Sequence, residues 1–136
     1  MFDKVHIIDD DEISIFLTEA MLDVMQFAHK YKGFTCPQNA LQNLVSKLQT
    51  GDTEVLPDVI FLDLNMPFIS GWELLDSLQN YEDVLLKKCR IYILTSSVSE
   101  EEVEKANQYK LVAGFLQKPL DEQSIAHINS NKLNLA

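Results

Sequence analysis

Two carboxylates, Asp9 and Asp10, follow the apolar run Val5-His6-Ile7-Ile8, and a third, Asp63, follows Val59-Ile60-Phe61-Leu62. Thr95 follows Ile91-Tyr92-Ile93-Leu94, and Lys118 follows Ala113-Gly114-Phe115-Leu116-Gln117. Each run has the length of a buried strand, and each ends in a group able to do chemistry. A carboxylate can act as a nucleophile. Three gathered carboxylates repel one another, and one lysine cannot neutralise them, so either some are protonated or a cation sits among them. A hard divalent ion of the magnesium kind suits an all-oxygen donor set. An isolated carboxylate behind a buried run gains nothing structurally, so Asp63 is the residue on which the chemistry turns.

The elements that must gather these groups are legible from periodicity. Val59 to Leu62 reads as a strand buried on both faces, as in a parallel sheet. After Val5 to Ile8, Asp11 is a candidate N-cap, and Ile13, Phe16, Leu17, Ala20, Met21 and Val24 recur at helical spacing. Ala28 to Thr35 reads as a weaker strand, and Pro37 opens a second helix to about Leu48. Gln49 to Pro57 reads as a surface loop. Ser70 and Glu73 form a capping-box pattern before a third helix with Leu74, Leu75 and Leu78 as its buried stripe. A second such box, Ser99 and Glu102, opens a fourth helix to about Tyr109, and Asp121 caps a fifth through about Ile128. Five strands alternating with five helices predict a doubly wound parallel α/β sheet. In strand order 2-1-3-4-5, the first and third strands are neighbours at the switch point, and Asp9 and Asp10 lie beside Asp63 at the carboxyl edge.

Composition narrows the partners. The 136 residues carry eleven basic and twenty-one acidic side chains, a net charge of −10. That opposes binding to nucleic acid or to an anionic membrane. A chain of this length is expected to form one core without a second effector domain, and 46% hydrophobic content is ample for it. Residues 1–128 form the expected domain and 129–136 a polar tail. Cys36 and Cys89 stand far apart with no histidine at ligand spacing, which indicates neither a disulfide framework nor a zinc site. Absence of an apolar signal or membrane-length run gives the expectation of a cytoplasmic protein, either a monomer or a weak dimer.

The acidic pair Asp9-Asp10, the sequence Asp63-Leu64-Asn65-Met66-Pro67 with Gly71 following, Thr95, and Lys118-Pro119 stand in order at successive strand ends. Over residues 3 to 128 the chain resembles the response-regulator receiver domains of two-component signalling, with a flavodoxin-like fold. The resemblance implies that Asp63 takes a phosphoryl group from a histidine kinase or phosphotransfer protein, and that output is the binding of a downstream protein. It implies a Mg²⁺ ion held by Asp10, Asp63 and the main-chain carbonyl of Asn65, with Asp9 supporting it through water. Lys118 pairs with the phosphoryl oxygens, Thr95 is drawn toward them, and Phe115 is the switch aromatic, lacking the phenolic hydroxyl of many relatives. The Lys118–Pro119 bond is cis in that family. Such a protein is no enzyme beyond its own phosphorylation and dephosphorylation.

Taken singly, several of these residues have simpler roles. Asp9 to Asp11 suit a helix N-terminus, Thr95 and Ser96 a strand end, and Lys118 a snorkelling surface. His6, His29 and His127 share no ligand spacing and read as core or surface; Trp72 and Tyr109 read as half-buried aromatics. Two other functions are compatible with parts of the pattern. A haloacid-dehalogenase-type phosphohydrolase also places Asp after an apolar strand, but it has a second Asp two residues on, where this chain has Asn65. A receiver-like scaffold acting without phosphorylation has an eroded acidic site, which this chain does not.

Overall fold

The computed structural model describes residues 1–133. Five parallel strands, β1 (Phe2–Ile8), β2 (Ala28–Phe34), β3 (Val59–Leu62), β4 (Arg90–Thr95) and β5 (Val112–Gln117), form one sheet in the order β2-β1-β3-β4-β5. The expected doubly wound architecture is therefore present. Five helices flank the sheet, the third of them interrupted: α1 (Glu12–Val24), α2 (Pro37–Thr50), α3 (Gly71–Leu78) continuing after a 3₁₀ turn as α4 (Glu82–Lys88), α5 (Glu100–Asn107) and α6 (Glu122–Leu133).

Period-two alternation divides the strands between two cores. Ile8, Ile60, Leu62, Ile91 and Ile93 face α2, α3, α4 and α5 through Leu44, Leu74, Leu85 and Ala106. Val5, Ile7, Val59, Phe61, Tyr92 and Leu94 face α1 and α6 through Leu22, Ile125 and Ile128. Every residue of β3 is buried, as its unbroken apolar run requires. Leu74 and its neighbours Leu75 and Leu78 are fully enclosed, and truncating one to Ala would cost roughly 2–5 kcal/mol.

The helix starts follow the expected caps. Ile13 donates its N–H to Asp11 Oδ1 at 2.9 Å, Glu73 to Ser70 Oγ at 3.2 Å, Glu102 to Ser99 Oγ at 3.2 Å, and Ser124 to Asp121 Oδ1 at 2.8 Å. Gly51 ends α2 with φ 75°, a left-handed conformation in which a Cβ is strained. The loop from Gln49 to Pro57 contains a 3₁₀ turn, Thr53–Val55.

Two readings change. The final helix does not stop near Ile128 but runs to Leu133, while the rest of the expected tail, residues 134–136, lies outside the described residues. The apolar residues whose spacing marks α1 are largely not the ones it buries. Thr18 and Leu22 are buried and Ile15, Met21 and Met25 pack beside them, whereas Ile13, Phe16, Leu17 and Val24 face solvent, Phe16 with 67% of its surface exposed. Two apolar stripes share this helix, and the sheet covers only one.

Candidate functional site

Strand register brings the chemistry-bearing residues to one edge. Ile8 pairs with Leu62, so Asp9 and Asp63 leave adjacent strands side by side. Asp9 is anchored by its N–H to Phe34 O at 3.0 Å and Asp63 by its N–H to Ile8 O at 2.9 Å. Carboxylate oxygens of Asp9, Asp10 and Asp63 all lie within 4.8 Å of one another; Asp9 and Asp63 are buried and Asp10 is exposed.

Lys118 reaches the same point from the end of β5. Its N–H donates to Thr95 O at 2.7 Å, and the Lys118–Pro119 peptide is cis. Its ammonium lies 2.5 Å from Asp9 Oδ2 and 3.8 Å from Asp63 Oδ2. Burial, and then the charge of Asp9, push the Asp63 carboxyl up to about 6, against the opposing pull of Lys118 and the backbone N–H groups of Asn65 and Leu64. A single lysine does not offset a buried carboxylate pair with a third acid beside it. The uncompensated charge and the all-carboxylate donors fit a hard divalent cation, and Asp9, Asp10 and Asp63 are the side chains able to hold one.

The loop after Asp63 is shaped by two backbone features. Gly71 donates its N–H to Leu64 O at 3.0 Å, and a Cβ on Gly71 would stand 2.5 Å from Asp63 O, so only glycine lets α3 begin this close to the acid. Phe68 has φ 71° and is 89% exposed. A bulky residue in the left-handed region is uncommon, and nothing in the sequence pattern announces it.

The geometry assembles Asp9, Asp10, Asp63 and Lys118 as a cluster at the carboxyl edge of a doubly wound sheet, and the family comparison agrees with it. Residues 5–129 match the family model of the response regulator receiver domain. The chain belongs to that family. A two-component response regulator from Cytophaga hutchinsonii is similar at 28% identity, with TM-score 0.87 over 98% of each chain. A response regulator receiver protein from Dyadobacter fermentans DSM 18053 shares the fold at 22% identity and TM-score 0.80, over 96% of this chain and 97% of that one. The chemotaxis protein CheY4 of Vibrio cholerae does so at 22% and 0.69, over 96% and 98%. No curated protein matches the chain.

Two further residues of this receiver domain stand apart from the acidic cluster. Thr95 is fully buried, and its Oγ1 donates to Ser97 O at 3.3 Å. Phe115 pairs with Ile93, so it occupies the same sheet face as Thr95, one pleat back, and packs half-buried against the core under α5. The hydroxyl and the aromatic ring are thus neighbours on adjacent strands.

One surface feature beside the site was not legible in sequence. A groove of about 500 Å³ opens beside the site, with Ile13, Leu17 and Met21 of α1 facing Lys118, Pro119 and Leu120. The exposed stripe of α1 thus runs directly into the acidic cluster through Lys118. Its signal was present as an apolar period, but periodicity does not tell a covered stripe from an open one. Among the described residues no helix is long and apolar enough to cross a membrane, and Cys36 and Cys89 are free thiols.

Proposed function

We propose that this receiver domain accepts a phosphoryl group on Asp63 from the phosphohistidine of a histidine kinase or phosphotransfer protein, and then signals in the cytoplasm by binding a downstream protein. The observation that carries this reading is the grouping of Asp9, Asp10 and Asp63 within 4.8 Å, with Lys118 seated against them. An oxygen of the Asp63 carboxylate attacks phosphorus, an O–P bond forms, the P–N bond breaks, and the donor imidazole leaves with its electron pair. Such a transfer needs positioning and charge neutralisation more than covalent machinery.

Asp10, Asp63 and the Asn65 carbonyl would hold Mg²⁺, with Asp9 beside it; when bound, the ion supplies the charge neutralisation that an incoming phosphoryl group requires. Lys118 exchanges its contact with Asp9 for one with the phosphoryl oxygens, as its 3.8 Å approach to Asp63 allows. Thr95 gives up its bond to Ser97 O and turns toward the same oxygens. The acceptor is the chain's own side chain, so no external substrate is turned over. The donor docks on the exposed stripe of α1, since that stripe continues into the groove beside Lys118.

Incubation with acetyl phosphate and Mg²⁺ tests the reading. Wild type should gain one phosphoryl group by intact-mass measurement and Asp63→Asn none. Labelling that persists in Asp63→Asn, or that fails in a folded wild type, overturns it; failure would favour a scaffold acting without phosphorylation. Turnover of free phosphate esters would favour the phosphohydrolase.

A further inference from the structure

A second pocket lies on the other half of the sheet. It has a volume of about 300 Å³ and is lined by Lys4 and His6 of β1, Lys30, Tyr31 and Lys32 of β2, and Lys47 of α2. Lys4 stands five positions before Asp9 along the strand, about 16 Å at 3.3 Å per residue. The strand register places Lys4 opposite Lys30 and His6 opposite Lys32. These four residues therefore share one sheet face, the face α2 covers, and Lys47 descends on them from near the end of that helix.

The arrangement runs against the chemistry of the rest of the chain. Four of the eleven basic residues of a protein with net charge −10 converge here. None of the four has an ion-pair partner among the described residues. Like charges directly opposed across strands destabilise a sheet. Lysines on an edge strand discourage unwanted sheet extension, which accounts for Lys30 and Lys32. It accounts for neither Lys47 on its helix nor Lys4 on an interior strand. It also leaves His6 unexplained: the ring is only 3% exposed, and its Nδ1 is buried with no hydrogen-bond partner. Burial, and then Lys47, Lys32 and Lys4, hold the imidazole down at about 4, so it is neutral at pH 7. Burial and the neighbouring Lys4 and Lys32 lower Lys47 as well, with Asp52 opposing.

Convergent cations without ion-pair partners among the described residues, lining a concave space, lack one thing: an anion with several oxygens. The volume exceeds what a single small ion fills and sits at the lower bound of small-molecule sites. We propose that Lys4, His6, Lys30, Lys32 and Lys47 form a binding site for a small phosphate-bearing polyanion of the pyrophosphate or nucleoside-diphosphate class. The ammonium groups neutralise the ligand and donate to its oxygens, and the neutral His6 ring, edge-on to Phe34, lines the pocket between them. The site is separate from the acidic edge and does not depend on phosphorylation of Asp63.

Titration of the full chain with inorganic pyrophosphate, without divalent metal, followed by ¹⁵N NMR, tests this. Saturable shifts should appear at Lys4, Val5, His6, Lys30 to Lys32 and Lys47, and the His6 imidazole ¹⁵N signals should move with them. Lys32→Gln and Lys47→Gln should each weaken binding by about ten-fold, the loss expected for one charge-assisted contact; Lys110→Gln, remote and exposed, should leave it unchanged. Parallel titrations with ADP and inorganic phosphate identify the source: ADP tighter than pyrophosphate indicates a nucleotide, and pyrophosphate tighter than phosphate indicates the polyphosphate alone. Shifts spread evenly over Lys87, Lys105 and Lys110, shifts confined to the Lys118 loop, or no saturation overturn the proposal. So does a hexaglutamate peptide that saturates this face where pyrophosphate does not, which would make it a surface for acidic protein segments.

Discussion

The ammonium of Lys118 is held 2.5 Å from Asp9 Oδ2, a buried carboxylate that it joins from the far edge of the sheet. The pair ties β5 to β1 across two intervening strands. It also keeps the Lys118 ammonium within 3.8 Å of Asp63, the proposed acceptor, without committing it there. Replacing Lys118 with Gln removes a preorganised charge from the position where, in the proposed transfer, phosphoryl oxygens arrive. Phosphorylation by acetyl phosphate should slow by about a hundred-fold or more. Mg²⁺ affinity should not fall, because lysine and metal are like charges. An unchanged phosphorylation rate contradicts the assigned role.

Asp10 differs from Asp9 and Asp63 in being exposed. Asp10→Asn should therefore leave the unfolding midpoint in place while weakening Mg²⁺ binding by about ten-fold or more, the cost usual even for groups that only support a metal ligand. Asp11→Asn is the matched control. Asp11 caps α1 through Ile13 N–H and is not one of the three grouped acids. Calorimetry on both variants checks this, and equal losses would show that only general acidity matters.

Most of the acidic site was legible because strand ends are legible. A buried run followed by Asp, Thr or Lys fixes both the element and the edge where its last residue emerges, as at Leu62–Asp63 and Leu94–Thr95. Residues defined by what covers them were not. α1 carries two apolar stripes, and a one-dimensional period cannot say that Leu22 is enclosed while Phe16 is open. The left-handed backbone of Phe68 has no compositional sign. His6 read as a member of an apolar strand, and only the register that sets it opposite Lys32 beneath Lys47 reveals its cationic surroundings. The break between α3 and α4 was equally hidden, since no Pro or Gly marks Gln79–Tyr81.

At the end of the sheet away from the acidic cluster, Asp58 accepts the N–H groups of Asp3 at 2.8 Å and Lys4 at 3.2 Å, and Lys88 Nζ stands 2.9 Å from its Oδ1. Burial acts to raise this carboxyl, but those donors win and hold it below the usual range. A lowered folded-state value means the stabilisation is complete above the unfolded carboxyl's titration and is lost as pH falls through the folded one. Asp58→Ala should destabilise by about 1–3 kcal/mol at pH 7, and the gap from wild type should narrow in acid. Urea unfolding across that range checks both sign and size; a gap that widens in acid would exclude the linkage.

The proposed output requires a buried hydroxyl to move. Phosphorylation adds about −1.5 to −2 charge at the strand edge, and Thr95 must release Ser97 O, 3.3 Å away, to meet it. Phe115 shares the face of Thr95 on the next strand, and α5 covers that face. α5 is in turn fastened to α3: Lys105 lies 4.6 Å over the Trp72 ring, Trp72 stacks on Tyr109 at 5.8 Å, and Tyr109 donates to Asp76 Oδ1 at 2.7 Å. A shift of Thr95 and Phe115 therefore presses on a braced helix whose first turn carries Glu100, Glu101 and Glu102. Adding beryllofluoride with Mg²⁺ should produce NMR shifts from Asp63 through Thr95 and Phe115 to Lys105, Tyr109 and Trp72. Thr95→Ala should keep the shifts around Asp63 and lose those on α5. An acidic helix start favours a partner with basic groups, and its association rate should drop as salt rises. Shifts confined to the Asp63 loop in wild type would place the output surface elsewhere.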